Sequence, residues 1–236
     1  MTQPFRNGSS YESVHWKGLG LQLLEDRIEV SCPEPLHALS SAVHPGGFSQ
    51  TDRIVNWKVP LTYQCGDPVS DLVRQCKEWG CDPQRTVGLI TAAKLTHASV
   101  VEVQGDKFNL LCCTTAGTRN AARAGLPRHT YPAYTPGTIN TIILIDGQMT
   151  DSAMVNAVIT ATEAKTAALQ QLGIVEKASG EPATGTTTDA VVIGVSQRLS
   201  WNAVHAYAGA ATSIGCKIGE AVYASIHEAT RTQQED

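Results

Sequence analysis

In the second half of the chain, short runs of apolar residues alternate with longer stretches that have the residue pattern of helices. Residues 142–145 are a continuous apolar run, which is typical of a strand covered on both faces. A long helical stretch follows, which Thr150 or Asp151 can cap and which Gly173 can end. Many alanines in this stretch favour close packing of other backbone against it. The pattern therefore predicts a buried strand followed by a central helix.

The central helix distributes its polar residues unusually. At about 100° per residue, Asn156, Thr160 and Glu163 fall on one narrow stripe, while Lys165 lies among the apolar residues of the opposite side. One interpretation is that the stripe faces water and that Lys165 extends its ammonium group to solvent along its stem. The other is that the stripe, or Lys165, faces a polar cleft.

Strand patterns dominate the first half of the chain. Residues 19–32 are typical of a hairpin with its turn near Glu25-Asp26. Further predicted elements are strands at 36–43, 53–59, 86–92, 99–103, 108–115 and 190–195, and helices at 68–79 and 213–229. The sequence thus predicts an α/β or α+β fold, a layered mixed sheet with a long central helix and a C-terminal helix. We expect a flexible tail at residues 1–14, one domain at 15–230 and a polar tail at 231–236.

Composition narrows the classes of partner. The chain of 236 residues is 42% hydrophobic and 17% charged, with a net charge of −4. No basic cluster is present, so neither nucleic acid nor an anionic membrane is an expected partner. No apolar run approaches the roughly 20 residues that span a bilayer, and residues 1–10 lack the apolar core of a secretory signal. We therefore expect a cytoplasmic protein.

The cysteine pattern agrees with a reducing compartment. The seven cysteines include no C-x-x-C pair, and their odd number together with the absence of a secretory signal indicates small buried thiols. Cys65, Cys76 and Cys81 are near enough in sequence to gather a metal in principle, but their spacing matches no zinc pattern. The sequence names no cofactor and no definite metal.

Three loops carry candidate chemistry. His44 precedes Pro45-Gly46-Gly47, where the backbone can turn sharply, and is either a surface histidine or a site residue. Residues 116–137 form a long predicted loop with several glycines and prolines. Residues 183–189 bring hydroxyls, a glycine and one carboxylate directly before a buried strand. The alternative for these threonines is a plain loop with local side-chain-to-backbone bonds.

Several short motifs, in order along residues 36–228, together resemble the adenosylcobinamide amidohydrolase family of corrinoid salvage. The block at 161–169, Thr-Glu-Ala-Lys-Thr-Ala-Ala-Leu from Thr162, is the most specific of them. The others are Leu39-Ser40-Ser41-Ala42-Val43 with Gly46-Gly47, residues 87–93, residues 115–125, Gly137-Thr138-Ile139-Asn140, residues 183–191 and Tyr207-Ala208-Gly209.

The resemblance implies an enzyme that hydrolyses the amide between a propionate arm of the corrin ring and aminopropanol. The product is adenosylcobyric acid, which can re-enter cobamide assembly. The chain departs from the family pattern at Ala210-Ala211, where Thr-His is expected, and at Cys216, which lies where a glutamate is expected. Arg119 also replaces a small polar residue, and His44-Pro45 differs from the usual residues before the double glycine. These departures motivate two alternatives: a related enzyme with another substrate, or a non-catalytic corrinoid-binding relative.

Amide hydrolysis needs an activated nucleophile, oxyanion stabilisation and a proton for the leaving amine. The resemblance and the motif positions make Glu163, Asp189 and His44 the candidate acids and bases, which also form a conceivable metal set. Candidate groups for binding the substrate are Asn140, Asn120, Thr138, Thr186 and Lys165. If Lys165 is buried, its charge balances that of a carboxylate.

Our working hypothesis assigns a role to each of the main candidates. Glu163 activates water, Asp189 orients that water, and Asn140 and Asn120 position the substrate. This requires the threonine-rich loop, the Asn140 strand and the Glu163 side of the helix to meet in one partly wet hollow.

Overall fold

The computed structural model describes residues 2–127 and 137–235. Within these ranges the helices are α1 (Pro68–Glu78), α2 (Asp151–Gln171) and α3 (Ser213–Thr232). The strands are β1 (Ser10–Glu12), β2 (Gly20–Leu23), β3 (Arg27–Ser40), β4 (Gly47–Lys58), β5 (Thr86–Thr91), β6 (Ser99–Gln104), β7 (Asn109–Ala116), β8 (Ala121–Ala122), β9 (Ile139–Asp146), β10 (Gln148–Met149), β11 (Gly185–Thr186), β12 (Ala190–Val195) and β13 (Val204–His205).

A curled, mixed sheet of nine strands organises the molecule. Seven strands follow the order β1-β2-β3-β12-β9-β7-β6, and β4 pairs with β3 and, in parallel, with β5. The long β3 pairs with β2 through its first half and with β12 through its second half. The central pair β12 and β9 is parallel, and all eight residues of β9 are buried. The prediction of a layered mixed sheet is confirmed.

The predicted elements agree closely with the structure, with three main differences of extent. The strand expected at 53–59 is the end of β4, which already begins at Gly47. The strand expected at 36–43 is the end of β3, which continues through Pro33 and Pro35 because a register shift between Ser31 and Leu36 accommodates them. The segment suggested as an N-terminal tail contributes β1 to the sheet and buries Phe5. The bounds 15–230 for a single domain stay a prediction.

Helices α2 and α3 pack on one face of the sheet. The hydroxyl of Thr150 caps α2 by accepting a hydrogen bond from the backbone N–H of Ala153 (3.1 Å), and Gly173 follows the helix with a φ of 64°. The predicted polar stripe does not share one environment. Thr160 is buried and donates to the carbonyl oxygen of Ala208 (2.8 Å), whereas Glu163 is exposed.

The start of α3 lies against the segment before it. A Cβ built on Gly215 would fall 2.1 Å from the carbonyl oxygen of Gly209 and 2.3 Å from that of Ala208. Gly219, one turn further, has only Thr160 Cγ2 nearby, at 3.8 Å. Close backbone approach therefore occurs at Gly215 and not at Gly219.

The cysteines are free thiols, and four of the seven are buried. Burial raises the pKa of the Cys112 thiol to about 11, so this thiol is protonated at neutral pH. In the part of the chain that the structure describes, no three His, Cys, Asp or Glu residues are grouped to hold a metal ion. None of the helices described is both long and apolar enough to cross a bilayer.

Candidate active site

A cleft of about 810 Å³ opens at one end of the sheet. Its walls are the residues that follow β4, β5 and β7, together with Gly137 just before β9. Residues after the C-terminal ends of α2 and α3 close the remaining sides. The cleft therefore lies at the end of the sheet where β9 and β12 begin, close to several of the predicted site residues.

A buried ion pair joins α2 to the start of β12. Lys165 Nζ lies 2.5 Å from Asp189 Oδ2, and the two side chains are 11% and 10% exposed. Oδ2 also accepts from the backbone N–H of Thr186 (3.0 Å), while Oδ1 accepts from the Ile139 N–H (3.0 Å) and from the Thr186 hydroxyl. Four donors thus occupy the roughly four lone-pair positions of the carboxylate. Asp189 fixes the helix, the β9 start and the β11 turn to one another.

Asn140 belongs to a second buried polar network. Its Nδ2 donates to Asn56 Oδ1 (2.8 Å) and to the Ile90 carbonyl oxygen (3.0 Å), and its Oδ1 accepts from the Thr138 hydroxyl (3.2 Å). Asn56 in turn donates to Thr115 Oγ1 (2.8 Å). Asn140 is 1% exposed. Its buried amide links β9 to Asn56 of β4 and Ile90 of β5.

Replacing Asn140 with alanine is expected to lower the free energy of unfolding by about 3 kcal/mol, because two buried acceptors lose their donor. Urea denaturation of the variant measures this change. Asn156→Ala, at a half-buried helix position, is the control and is expected to change stability by less than about 0.5 kcal/mol. Equal stability of the two variants would contradict the assignment of Asn140 to a structural network.

Asn120 connects these networks to the cleft. Its Nδ2 donates to the Gly137 carbonyl oxygen (2.7 Å) and to Thr187 Oγ1 (2.6 Å). Its Oδ1 is buried and has no donor among the described residues. Gly137 has a φ of 153°, and a Cβ there would fall 2.1 Å from Asn120 Oδ1, so only glycine allows this contact. An unsatisfied acceptor therefore lies against a residue that lines the cleft.

The structure brings most of the predicted binding residues together. Thr138 bridges Asn140 to the Thr188 carbonyl oxygen (2.8 Å), and Thr186 and Lys165 meet at Asp189. Asn120 joins the group through Gly137, whose carbonyl oxygen also accepts from the Thr188 hydroxyl (2.8 Å). The threonine-rich loop and the Asn140 strand thus converge, as the hypothesis requires.

Two of the acid–base candidates lie outside this group. Glu163 is exposed on α2, about 200° around the helix from Lys165, which is the residue that reaches Asp189. His44 pairs its backbone with Gly88, and its Nε2 lies 3.0 Å from the carbonyl oxygen of Pro83. Within the described residues, no hydrogen bond or ion pair joins Glu163 or His44 to Asp189, so the conceivable metal set is not assembled.

Some residues of the site escaped the sequence reasoning. Asn56 was read only as part of an alternating strand, although an amide between apolar neighbours is a signal of a buried hydrogen bond. Two cationic residues of the cleft, Lys58 and Lys177, come from distant segments, and a third, Arg119, stood out in the sequence only as a departure from the family pattern. No local pattern in the sequence connects them.

Comparison with a family model and comparison with individual proteins lead to the same family description. A family model described as adenosylcobinamide amidohydrolase matches residues 18–236. A Methanosarcina mazei protein named adenosylcobinamide amidohydrolase is 30% identical over 187 residues, which cover 77% of this chain and 84% of the relative. An uncharacterized protein of Methanocaldococcus jannaschii is 30% identical over 211 residues, 78% of each chain.

Two solved structures share only a distant resemblance. The PH0078 protein from Pyrococcus horikoshii has a TM-score of 0.43 and 11% identity, covering 86% of this chain and 75% of its own. A Burkholderia β-aminopeptidase has a TM-score of 0.42 and 12% identity, covering 97% and 86%. Similarity at this level does not bear on the chemistry.

Proposed function

This chain belongs to the adenosylcobinamide amidohydrolase family, and from that membership we propose that it hydrolyses the amide between the corrin ring's propionate arm and aminopropanol. The water oxygen bonds to the carbonyl carbon, the C–N bond breaks, and a proton passes to the leaving amine. The products are adenosylcobyric acid and aminopropanol. The match across residues 18–236 is the observation that carries this proposal.

The cleft is the proposed substrate site. Its volume of about 810 Å³ is in the upper part of the range of about 300–1,000 Å³ that is common for small-molecule pockets. It opens beside loops that a rigid sheet holds in place, where binding groups are often found. A corrinoid can extend its amide arm into such a cleft while much of the ring stays at the surface.

Asn120 is the proposed contact to the scissile amide. Its Oδ1, which has no donor among the described residues, is buried behind Gly137, a residue that lines the cleft, and is suited to accept a hydrogen bond from a substrate N–H that reaches it. A buried acceptor without a donor costs stability, and a ligand that supplies the donor recovers that cost on binding. The exposed Thr187 hydroxyl, which accepts from Asn120, is a second polar group on the same loop.

Asp189 is proposed to act by position rather than by proton transfer. Its carboxylate already receives four hydrogen bonds, so taking a proton from water would require it to give up one of them. The same buried hydrogen-bond network includes the side chains of Lys165, Thr186, Thr138 and Asn140. Glu163 and His44 are not part of the proposed site.

The test is turnover of adenosylcobinamide by the full chain, with adenosylcobyric acid measured by mass spectrometry. We expect conversion by the unmodified protein and a loss of about tenfold or more in kcat/KM in Asn120→Ala, since a buried hydrogen bond is removed. Asn156→Ala is the matched control and should retain full turnover. Corrinoid that is bound but never cleaved would favour a non-catalytic relative and would reject the proposal.

Two of the departures from the family pattern, Ala211 and Cys216, do not favour a different substrate. Ala211 lies just before α3 and Cys216 lies in its first turns, where its thiol contacts Glu220 (3.4 Å). The cleft is lined instead by Gln233 and Gln234, beyond the other end of this helix of 20 residues. Such a helix is about 30 Å long, so both departures are remote from the proposed substrate site.

A further inference from the structure

The charge of the cleft is opposite to that of the whole molecule. The chain carries 22 acidic and 18 basic residues, for a net charge of −4. The cleft nevertheless has the basic residues Lys58, Lys94, Arg119 and Lys177 in its lining, and no aspartate or glutamate among the described residues that form its walls. A concave surface with one sign of charge concentrates ligands of the other sign.

Three of these cations face the cleft from different walls. Lys58 ends β4, Arg119 follows β7 and Lys177 follows α2, and all three are exposed. As far as the structure describes the chain, none of the three is paired with an acidic side chain. Lys94 differs, because its ammonium group donates to the carbonyl oxygen of Glu235.

The unmodified substrate does not account for this charge. Adenosylcobinamide carries a net positive charge, since trivalent cobalt is only partly balanced by the corrin ring and the adenosyl ligand. A phosphate monoester on the amino-alcohol arm adds about −1.5 to −2 at neutral pH and reverses that sign. Arg119 directly precedes Asn120, the proposed amide contact, and only two carbon atoms separate the amide nitrogen from the hydroxyl oxygen of the arm.

We propose that the cleft binds corrinoids whose amino-alcohol arm carries a phosphate in preference to those with a free hydroxyl. The inference rests on the proposed function, because it places the arm of the substrate in the same cleft. Arg119 is suited to hold a phosphate through two parallel hydrogen bonds, and Lys58 and Lys177 add positive charge from other parts of the cleft lining.

The experiment compares adenosylcobinamide with its O-phosphate ester, each as substrate for the full chain and as ligand in an equilibrium titration. We expect the ester to have about tenfold higher kcat/KM and about tenfold lower Kd in dilute buffer, with the ratio falling as salt is added. Arg119→Gln and Lys177→Gln should each reduce that ratio severalfold. Lys107→Gln, an equal charge change on the β6–β7 turn at the far end of the hairpin, should leave it unchanged.

The outcomes separate this inference from the proposed function. Cleavage of both corrinoids with equal efficiency and equal affinity would overturn the phosphate preference and leave the amidohydrolase activity intact. Cleavage of neither would reject the activity, and the titration would then still decide the preference. A ratio that Lys107→Gln lowers as much as Arg119→Gln would also overturn the inference, because it would reflect overall charge and not the cleft.

Discussion

Replacing Lys165 with methionine is expected to lower the free energy of unfolding by about 3–5 kcal/mol, because it leaves the buried carboxylate of Asp189 without its counter-charge. Three hydrogen bonds to Asp189 remain, but they do not balance a full charge in a site where the side chain is 10% exposed. In a chain of this size the loss corresponds to about 6–20 °C in Tm. Urea denaturation and thermal melting both measure it.

Two further variants distinguish the ion pair from general effects of losing a lysine. Lys107→Met removes an exposed ammonium group and should change stability by less than about 0.5 kcal/mol. Lys165→Met combined with Asp189→Asn removes both charges and should recover about half of the loss or more. A single Lys165→Met variant as stable as the Lys107→Met control would show that the pair contributes nothing to the fold.

Gly215→Ala and Gly219→Ala should shift stability in opposite directions although they lie one turn apart on α3. A methyl group at Gly215 would overlap backbone carbonyl oxygens at 2.1 and 2.3 Å, and backbone cannot rotate away as a side chain can. We expect a loss of about 3 kcal/mol there. At Gly219 the nearest atom is 3.8 Å away, so alanine should stabilise the helix by about 0.5–1 kcal/mol.

Thermal unfolding of the two variants, each compared with the unmodified chain, measures this difference. Because both substitutions add the same methyl group to the same helix, intrinsic helix propensity cancels in the comparison. A Gly215→Ala variant at least as stable as Gly219→Ala would mean that the 208–209 segment can move away from α3 without cost.

The fold was predictable where local signals and burial agree. The apolar run at 142–145, the Thr150 cap and Gly173 correctly marked β9 and α2. Strand pairing was not predictable to the same degree. The pairing of β3 with β12 joins residues more than 150 positions apart, and no local sequence pattern indicates it.

The convergence of segments around Asp189 was predicted in part, and the difference at α2 has a geometric cause. The loop at 183–189 and the start of β9 do converge, but the helix meets them through Lys165 and not through Glu163. Both sides of α2 carried a charged residue in the sequence, and a lysine on an apolar side is compatible with solvent exposure or with burial. Only the tertiary position of Asp189 decides between them. The basic cleft likewise exists only after distant segments have come together.

Strand β3, which pairs with β2, β4 and β12, also sets an order of events when the chain leaves the ribosome. Residues 37–40 of β3 pair with residues 192–195 of β12, so about 150 residues must be synthesised before that edge has its partner. Until then the nascent chain presents an open strand edge with β4 already able to pair on its other side. Emergence of β12 closes this edge and joins the two halves of the sheet, which makes assembly of the domain a late step in translation.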